Sequence, residues 1–125
     1  MVLVKRVVLP PYDSFGLSTF VICDKMVFLS HFGGIFDENG KILGTVEQQT
    51  EQCLRNIERN LKTINLGLKN LVKITVILKD TKDFLKMHDV WKKFFVDEYP
   101  VRTTITSDFV DDSCLIQMDG VACYE

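Results

Sequence analysis

The sequence has few of the residues that build metal centres or disulfide frameworks. It contains only two histidines, His31 and His88, and four cysteines that are far apart and form no CxxC pair. Zinc needs three or four ligands that converge on one point, and neither histidine has a cysteine beside it in the chain. We therefore expect no metal. Scattered cysteines without a leading signal segment predict a reduced, cytoplasmic protein.

An excess of cations and a long apolar run are also missing. The formal net charge is −2 at pH 7, which disfavours nucleic-acid partners because there is no surplus of positive charge to neutralise phosphates. The pair Lys92–Lys93 is interpreted as the solvated edge of a helix. No run approaches the roughly 20 apolar residues that cross a bilayer. A chain of 125 residues, 46% of them hydrophobic, is typical of one globular domain, here 1–125.

Apolar patterning predicts three strands before the first helix. A strand over 1–9 stops at Pro10, and the runs on either side of Asp24-Lys25 indicate a hairpin. After a glycine-containing loop, Thr45 and Gln48 form a capping box, so a helix should begin there, with Gly67 as its left-handed stop. Its apolar stripe recurs at three- and four-residue steps and consists of Val46, Cys53, Leu54, Ile57, Leu61 and Ile64.

The second half of the chain alternates strand and helix. The β-branched run 71–78 predicts a central strand covered on both faces, and Asp80 or Thr81 can cap a second helix that ends before Pro100. That helix should carry Phe84, Leu85, Val90, Trp91, Phe94 and Phe95 towards the core. Two further strands close the chain. Because two helices cover only one face of such a sheet, we expect self-association to cover the other, leaving clefts at the seams.

The segment 101–106 places one cation in a polar strand face. Side chains alternate along a strand, so Arg102 and Thr104 share one face while Val101 and Thr103 share the other. A guanidinium can bind a carboxylate through two parallel hydrogen bonds. Alternatively, Arg102 pairs with a neighbouring acid such as Asp119 or Glu98.

Several stretches, in this order and spacing, resemble the RidA/YjgF family over roughly residues 15–124: GTVEQQTEQCLRNIERNL, NLVKITVILKDTKDF, VWKKFF, YPVRTTI and LIQMDGVA. The resemblance implies an α+β, chorismate-mutase-like fold, with a mixed six-stranded sheet and two helices on one face. It further implies a homotrimeric, barrel-like assembly with ligand sites between subunits. The implied activity is deamination of reactive enamines and imines of 2-keto acids, such as 2-aminoacrylate, without a cofactor.

The same resemblance assigns candidate site residues. Arg102 takes the place of the family's arginine, which clamps the substrate carboxylate, and Asp119 takes that of its water-handling glutamate, one methylene shorter. The family's Pro-Tyr pair falls on Gly16 and Leu17, so that the phenol is missing unless Tyr12 fills the space.

Two further positions complete the candidate ligand site. The family's Ser-Gly becomes Ser30-His31. Ser30 can orient a ligand or simply end a strand, and His31 can act as an acid or base or stand by as a hydrogen-bonded neighbour. Thr104 is either a ligand contact or a threonine that favours a strand.

Three functions are consistent with these residues. The first is hydrolytic deamination with Arg102 and Asp119 in the catalytic site. The second is a non-catalytic trimer that binds small carboxylates or keto acids as a sensor or regulator, favoured by the missing tyrosine and the shortened acid. The third, ribonuclease or translation inhibitor, is a description also attached to the family, and the acidic net charge weighs against it.

Overall fold

The computed structural model describes residues 3–125, so the first two residues of the predicted strand 1–9 lie outside the described part. The strands are β1 (Val4–Val7), β2 (Phe20–Cys23), β3 (Met26–Gly33), β4 (Leu71–Leu78), β5 (Val101–Thr106) and β6 (Ile116–Cys123). The helices are α1 (Val46–Lys62) and α2 (Phe84–Phe94). Within this described part, the six strands form one sheet in the order β1-β2-β3-β6-β4-β5, and only β4 and β5 run parallel.

The β2–β3 hairpin forms where the sequence predicts it. Cys23 pairs with Met26, and Asp24 between them adopts a positive φ of 57°. Aspartate tolerates this left-handed conformation, which matches the turn to the right-handed twist of the strands. The two-residue turn therefore sets the register of the hairpin.

Helix α1 begins at its predicted cap but ends differently. The Thr45 hydroxyl accepts a hydrogen bond from the Gln48 backbone amide at 3.2 Å, which satisfies one free donor of the first turn. The prediction that Gly67 is the left-handed stop is wrong. Gly67 is extended, with φ −137°, whereas Asn65 has φ 64°, a conformation that asparagine also tolerates.

Helix α2 packs through a different set of side chains from the one predicted. Val90, Trp91 and Phe95 are buried as expected. Phe84 and Leu85, both predicted to face the core, are 36% and 69% exposed, and the fully buried position belongs to Met87. Two residues along a helix correspond to a rotation of about 200°, so Leu85 and Met87 occupy opposite sides.

The sheet has one covered face and one open face. Ile74, Val76 and Leu78 of β4 are buried beneath the helices, while Thr75 and Ile77 between them are only half-buried. Both helices therefore cover one face, as predicted. The other face of β4 stays partly open within residues 3–125, and its expected cover by self-association stays a prediction. Exposed apolar side chains mark the open side and edge of the sheet: Val4, Met26, Phe28, Val72, Val101 and Ile105.

Candidate functional site

Arg102 lies on the helix-covered face, at the edge strand of the sheet. It pairs in register with Ile74 on the parallel strand β4, so its side chain extends towards α2. The guanidinium Nη1 lies 3.2 Å from Nδ1 of His88. The guanidinium carbon Cζ lies 4.9 Å from the ring centroid of Trp91 and 5.5 Å from that of Phe84. We call these three side chains of α2 the aromatic cage.

The alternative in which Arg102 pairs with an acid does not hold within the described chain. The ion pairs among residues 3–125 join Arg55 to Glu51, Arg59 to Glu38 and Lys92 to Asp89, and none involves Arg102. Asp119 pairs with Thr75, which places it on the open face. Partial burial lowers the pKa of Arg102 from its usual value, but a guanidinium remains charged at every physiological pH. Its charge is therefore not neutralised by the described chain.

A groove lies beside the aromatic cage. Phe84 contributes to both, and Thr104, half-buried and two residues from Arg102, lies in the groove wall. The groove has a volume of about 330 Å³, enough for a small organic acid. The lining consists of Leu78, Thr81, Phe84, Thr104, Ile105 and Thr106.

Ser30, His31 and Asp119 meet at a β-bulge between β3 and β6. Leu29 pairs with Gly120, and Phe32 pairs with Met118, so two residues of β3 oppose the single residue Asp119. A bulge of this kind redirects side chains locally and is frequent beside functional sites. The strand register therefore brings Ser30 and His31 next to Asp119, almost ninety positions further along the chain.

Tyr12 supports this bulge from below. Its side chain is buried, and its hydroxyl donates a hydrogen bond of 2.7 Å to the backbone carbonyl of His31. Burial, and to a lesser extent the neighbouring Cys53 thiol, raises the pKa of Tyr12, so the phenol stays protonated and keeps donating. Tyr12 and His31 line a cleft of about 480 Å³. Leu17 is 39% exposed, and its backbone amide donates to the Tyr12 carbonyl at 3.1 Å.

The predicted residues thus form two groups within one chain. Arg102 and Thr104 belong to the covered face at the β5 edge. Asp119 lies on the open face, opposite the Ser30-His31 bulge. The two faces of a sheet point in opposite directions. A ligand held by Arg102 therefore does not reach Asp119 of the same copy.

The aromatic cage is the part of the site that sequence reasoning missed. Phe84 and Trp91 were predicted as core residues, and His88 was noted only as too isolated to bind metal. The spacing of these residues at i, i+4 and i+7 places them on one side of a helix, and that pattern could have identified them. What it could not reveal is which strand they face.

Neither a metal centre nor a membrane-spanning helix is found in the described residues. Within 3–125, no group of three or more His, Cys, Asp or Glu side chains converges to hold an ion. No helix there is long and apolar enough to span a bilayer.

These features define a class of protein: an α+β chain with a mixed sheet, one open sheet face, and a groove near an arginine at the sheet edge. Comparison with known proteins identifies the family. The family model described as endoribonuclease L-PSP matches residues 11–124, and the chain belongs to that family, whose members are also called RidA or YjgF. The prediction from sequence resemblance is thus confirmed, together with the α+β fold class.

Individual relatives agree with this assignment. Reactive Intermediate Deaminase A of the Arabidopsis thaliana chloroplast is 35% identical over 100 residues, 79% of this chain and 54% of the relative. The 2-iminobutanoate/2-iminopropanoate deaminase of Bos taurus is 28% identical over 103 residues, covering 82% and 75% respectively. The crystal structure of a putative endoribonuclease from Thermotoga maritima matches with a TM-score of 0.79 and 28% identity, over 87% of both chains.

Proposed function

We propose that this protein hydrolyses reactive enamine and imine intermediates of 2-keto acids, such as 2-aminoacrylate, to the keto acid and ammonia. The observation that carries the proposal is the charged Arg102, which has no acidic partner in residues 3–125 and lies beside a groove of small-molecule size. The deaminase names of two relatives support the same reaction. The substrate is a small carboxylate, and the chemistry requires no cofactor.

The reaction consists of water addition followed by loss of ammonia. The enamine first tautomerises to the imine, whose carbon is electrophilic. Water adds to that carbon while a base takes one of its protons and passes it to the imine nitrogen, which gives a carbinolamine. The carbinolamine hydroxyl then loses its proton to the nitrogen by way of the same base, and the C–N bond breaks to leave the ketone and ammonia. Arg102 holds the carboxylate still, and Asp119 orients the water and accepts its proton. Ser30 and Thr104 offer hydroxyl hydrogen bonds to the bound ligand.

The site is completed by a second copy of the chain. Arg102 and Asp119 lie on opposite sheet faces, so one substrate can touch both only where two copies meet. The exposed apolar face, which includes Phe28 at 47% and Ile105 at 46% exposure, is suited to bury itself against another copy. We infer a homotrimer with a cleft at each seam, working in the cytoplasm, where the four free thiols stay reduced.

An imine-hydrolysis assay with Arg102 variants tests the proposal. Hydrogen bonds to charged groups contribute about 1.5–3 kcal/mol each, so losing two in Arg102→Ala should lower kcat/KM at least about a hundredfold. Arg102→Lys should recover little, because an ammonium lacks the planar fork. The matched control is Arg55→Ala, which removes an arginine paired with Glu51 on the exposed side of α1. Equal kcat/KM for wild type and Arg102→Ala would reject the carboxylate clamp.

A second candidate is a non-catalytic trimer that binds small carboxylates or keto acids as a sensor or regulator. Two observations favour it: Asp119 is one methylene shorter than glutamate, and the hydroxyl of Tyr12 is already engaged with the His31 carbonyl. Calorimetry that shows keto-acid binding dependent on Arg102, without turnover of an imine, would select this candidate. Ribonuclease activity is disfavoured by the net charge of −2.

A further inference from the structure

We propose that His88 is a positioning residue for the carboxylate clamp. Its Nδ1 accepts a hydrogen bond from Nη1 of Arg102 and orients the guanidinium so that its remaining N–H edge faces the ligand. The inference rests on the proposed function, because it assigns a partner to the same arginine. It extends that function to a residue that neither the family resemblance nor the relatives' names point to.

The imidazole is itself held in place by its own helix. Phe84 and His88 are one turn apart on α2, and their rings stack with centroids 5.8 Å apart and an interplanar angle of 7°. The guanidinium carbon lies over both Phe84 and Trp91, and such contacts restrict a long side chain without neutralising it. The stacked imidazole of His88 is therefore a rigid acceptor, and the guanidinium of Arg102 is a donor with restricted motion.

The chemistry of the acceptor explains why a histidine suits this position. A carboxylate at His88 would also bind Arg102, but it would cancel the positive charge that a substrate carboxylate needs. A neutral imidazole accepts one hydrogen bond and leaves the charge intact. Arginine has five N–H donors, and the contact with His88 uses only one of them. The other edge of the guanidinium has no hydrogen-bond partner within residues 3–125 and can make the bidentate contact.

The geometry also assigns the tautomer of His88. Arginine is a donor only, so a hydrogen bond at 3.2 Å between Nη1 and Nδ1 requires that Nδ1 carries no proton. The imidazole proton then sits on Nε2. A proton on Nδ1 would be incompatible with this hydrogen bond, so the tautomer of His88 is a direct check on the contact.

Two substitutions of matched shape separate the hydrogen bond from packing. In His88→Asn the side-chain oxygen takes the place of Nδ1 and can accept from Arg102, whereas His88→Leu keeps a similar branched shape without an acceptor. Neither variant retains the ring stack on Phe84. A control on the same helix is Leu85→Ala, since Leu85 is 69% exposed and lies outside the aromatic cage.

The test measures the dissociation constant of 2-oxobutanoate by calorimetry. Freeing a rotamer-rich side chain that binding must immobilise weakens affinity roughly 2- to 12-fold, the expected effect of His88→Leu. His88→Asn and Leu85→Ala should bind like wild type, and His88→Leu should have no further effect once Arg102→Ala is present. In ¹⁵N NMR of the free protein at neutral pH, the His88 proton should reside on Nε2. Thermal unfolding checks that every variant is folded.

The outcomes separate this inference from the proposed function. Wild-type affinity in His88→Leu, equal losses in His88→Asn and His88→Leu, or a proton on Nδ1 would each overturn the positioning role while the clamp stands. Wild-type affinity in Arg102→Ala would overturn the clamp, and the role of His88 with it. Weak binding by His88→Leu with recovery in His88→Asn supports both.

Discussion

Gln49 provides the sharpest test of how the sheet is fastened to α1. This side chain is fully buried. Its Nε2 donates to the carbonyls of Leu43 and Ser113, each at 2.8 Å, and its Oε1 accepts from the amide of Leu115 at 2.9 Å. The three bonds tie two loops and the approach to β6 to the helix. In Gln49→Met, a side chain of similar length fills the space but leaves three backbone groups without this partner.

The expected loss in free energy of unfolding follows from the three backbone groups that lose their partner. A polar group left unsatisfied costs about 1–3 kcal/mol, and the lower end applies because Leu43 is only half-buried and Ser113 is exposed. We expect Gln49→Met to lower the free energy of unfolding by about 3 kcal/mol, which for a chain of this size lowers Tm by roughly 10–15 °C.

Urea and thermal unfolding at one fixed protein concentration provide the measurement, since self-association makes Tm depend on concentration. The matched control is Gln48→Met, at the neighbouring exposed position. The backbone amide of Gln48, and not its side chain, bonds to Thr45, so the predicted capping box is only half formed and the substitution should cost less than about 0.5 kcal/mol. If Gln49→Met unfolds at the same midpoint as Gln48→Met, the reasoning from buried hydrogen bonds is refuted.

Three further predictions concern the site, the assembly and pH. Asp119→Glu restores the missing methylene and should raise imine turnover by up to about a hundredfold, as measured by steady-state kinetics; an unchanged rate would argue against a role for Asp119 in handling water. Phe28→Asp puts a charge on the open apolar face and should reduce the sedimentation coefficient, unlike the control Leu85→Asp on exposed α2, and identical assembly of both variants would contradict that interface. Burial raises the pKa of the Cys53 thiol above its ordinary value of 9.0, so this thiol ionises at a lower pH in the unfolded chain than in the folded protein. Stability should then fall as pH rises above about 9, by up to about 1.4 kcal/mol per pH unit. Cys53→Ala should flatten that fall in urea unfolding between pH 8 and 10.5, and parallel curves would exclude Cys53 as its source.

Local signals in the sequence predicted most elements correctly. The threonine cap and the apolar stripe of α1, the Asp24 turn and the β-branched run of β4 each depend on neighbours within a few residues. Side-chain periodicity and turn chemistry report such local geometry directly. Errors arose where two local solutions compete, as when Asn65 rather than Gly67 took the left-handed conformation.

The candidate site was predicted as a set of residues but not as an arrangement. Family resemblance pointed to Arg102, Asp119 and the Ser30-His31 pair, whose roles remain predictions. Their separation onto two faces depends on the register between β3, β6, β4 and β5. Register is a property of long-range pairing, and a shift of one residue would exchange the faces.

The sequence by itself determined the elements and their order. It also placed Arg102 among threonines on one face of a predicted strand. Only the tertiary structure decided that α2 crosses the edge of the sheet where its histidine meets that guanidinium, fourteen residues away along the chain. The physical reason is that the side-chain periodicity of a helix or strand indicates only which side of that element a residue occupies. What that side faces is settled by packing between elements, where burial of the apolar stripes outweighs any local preference.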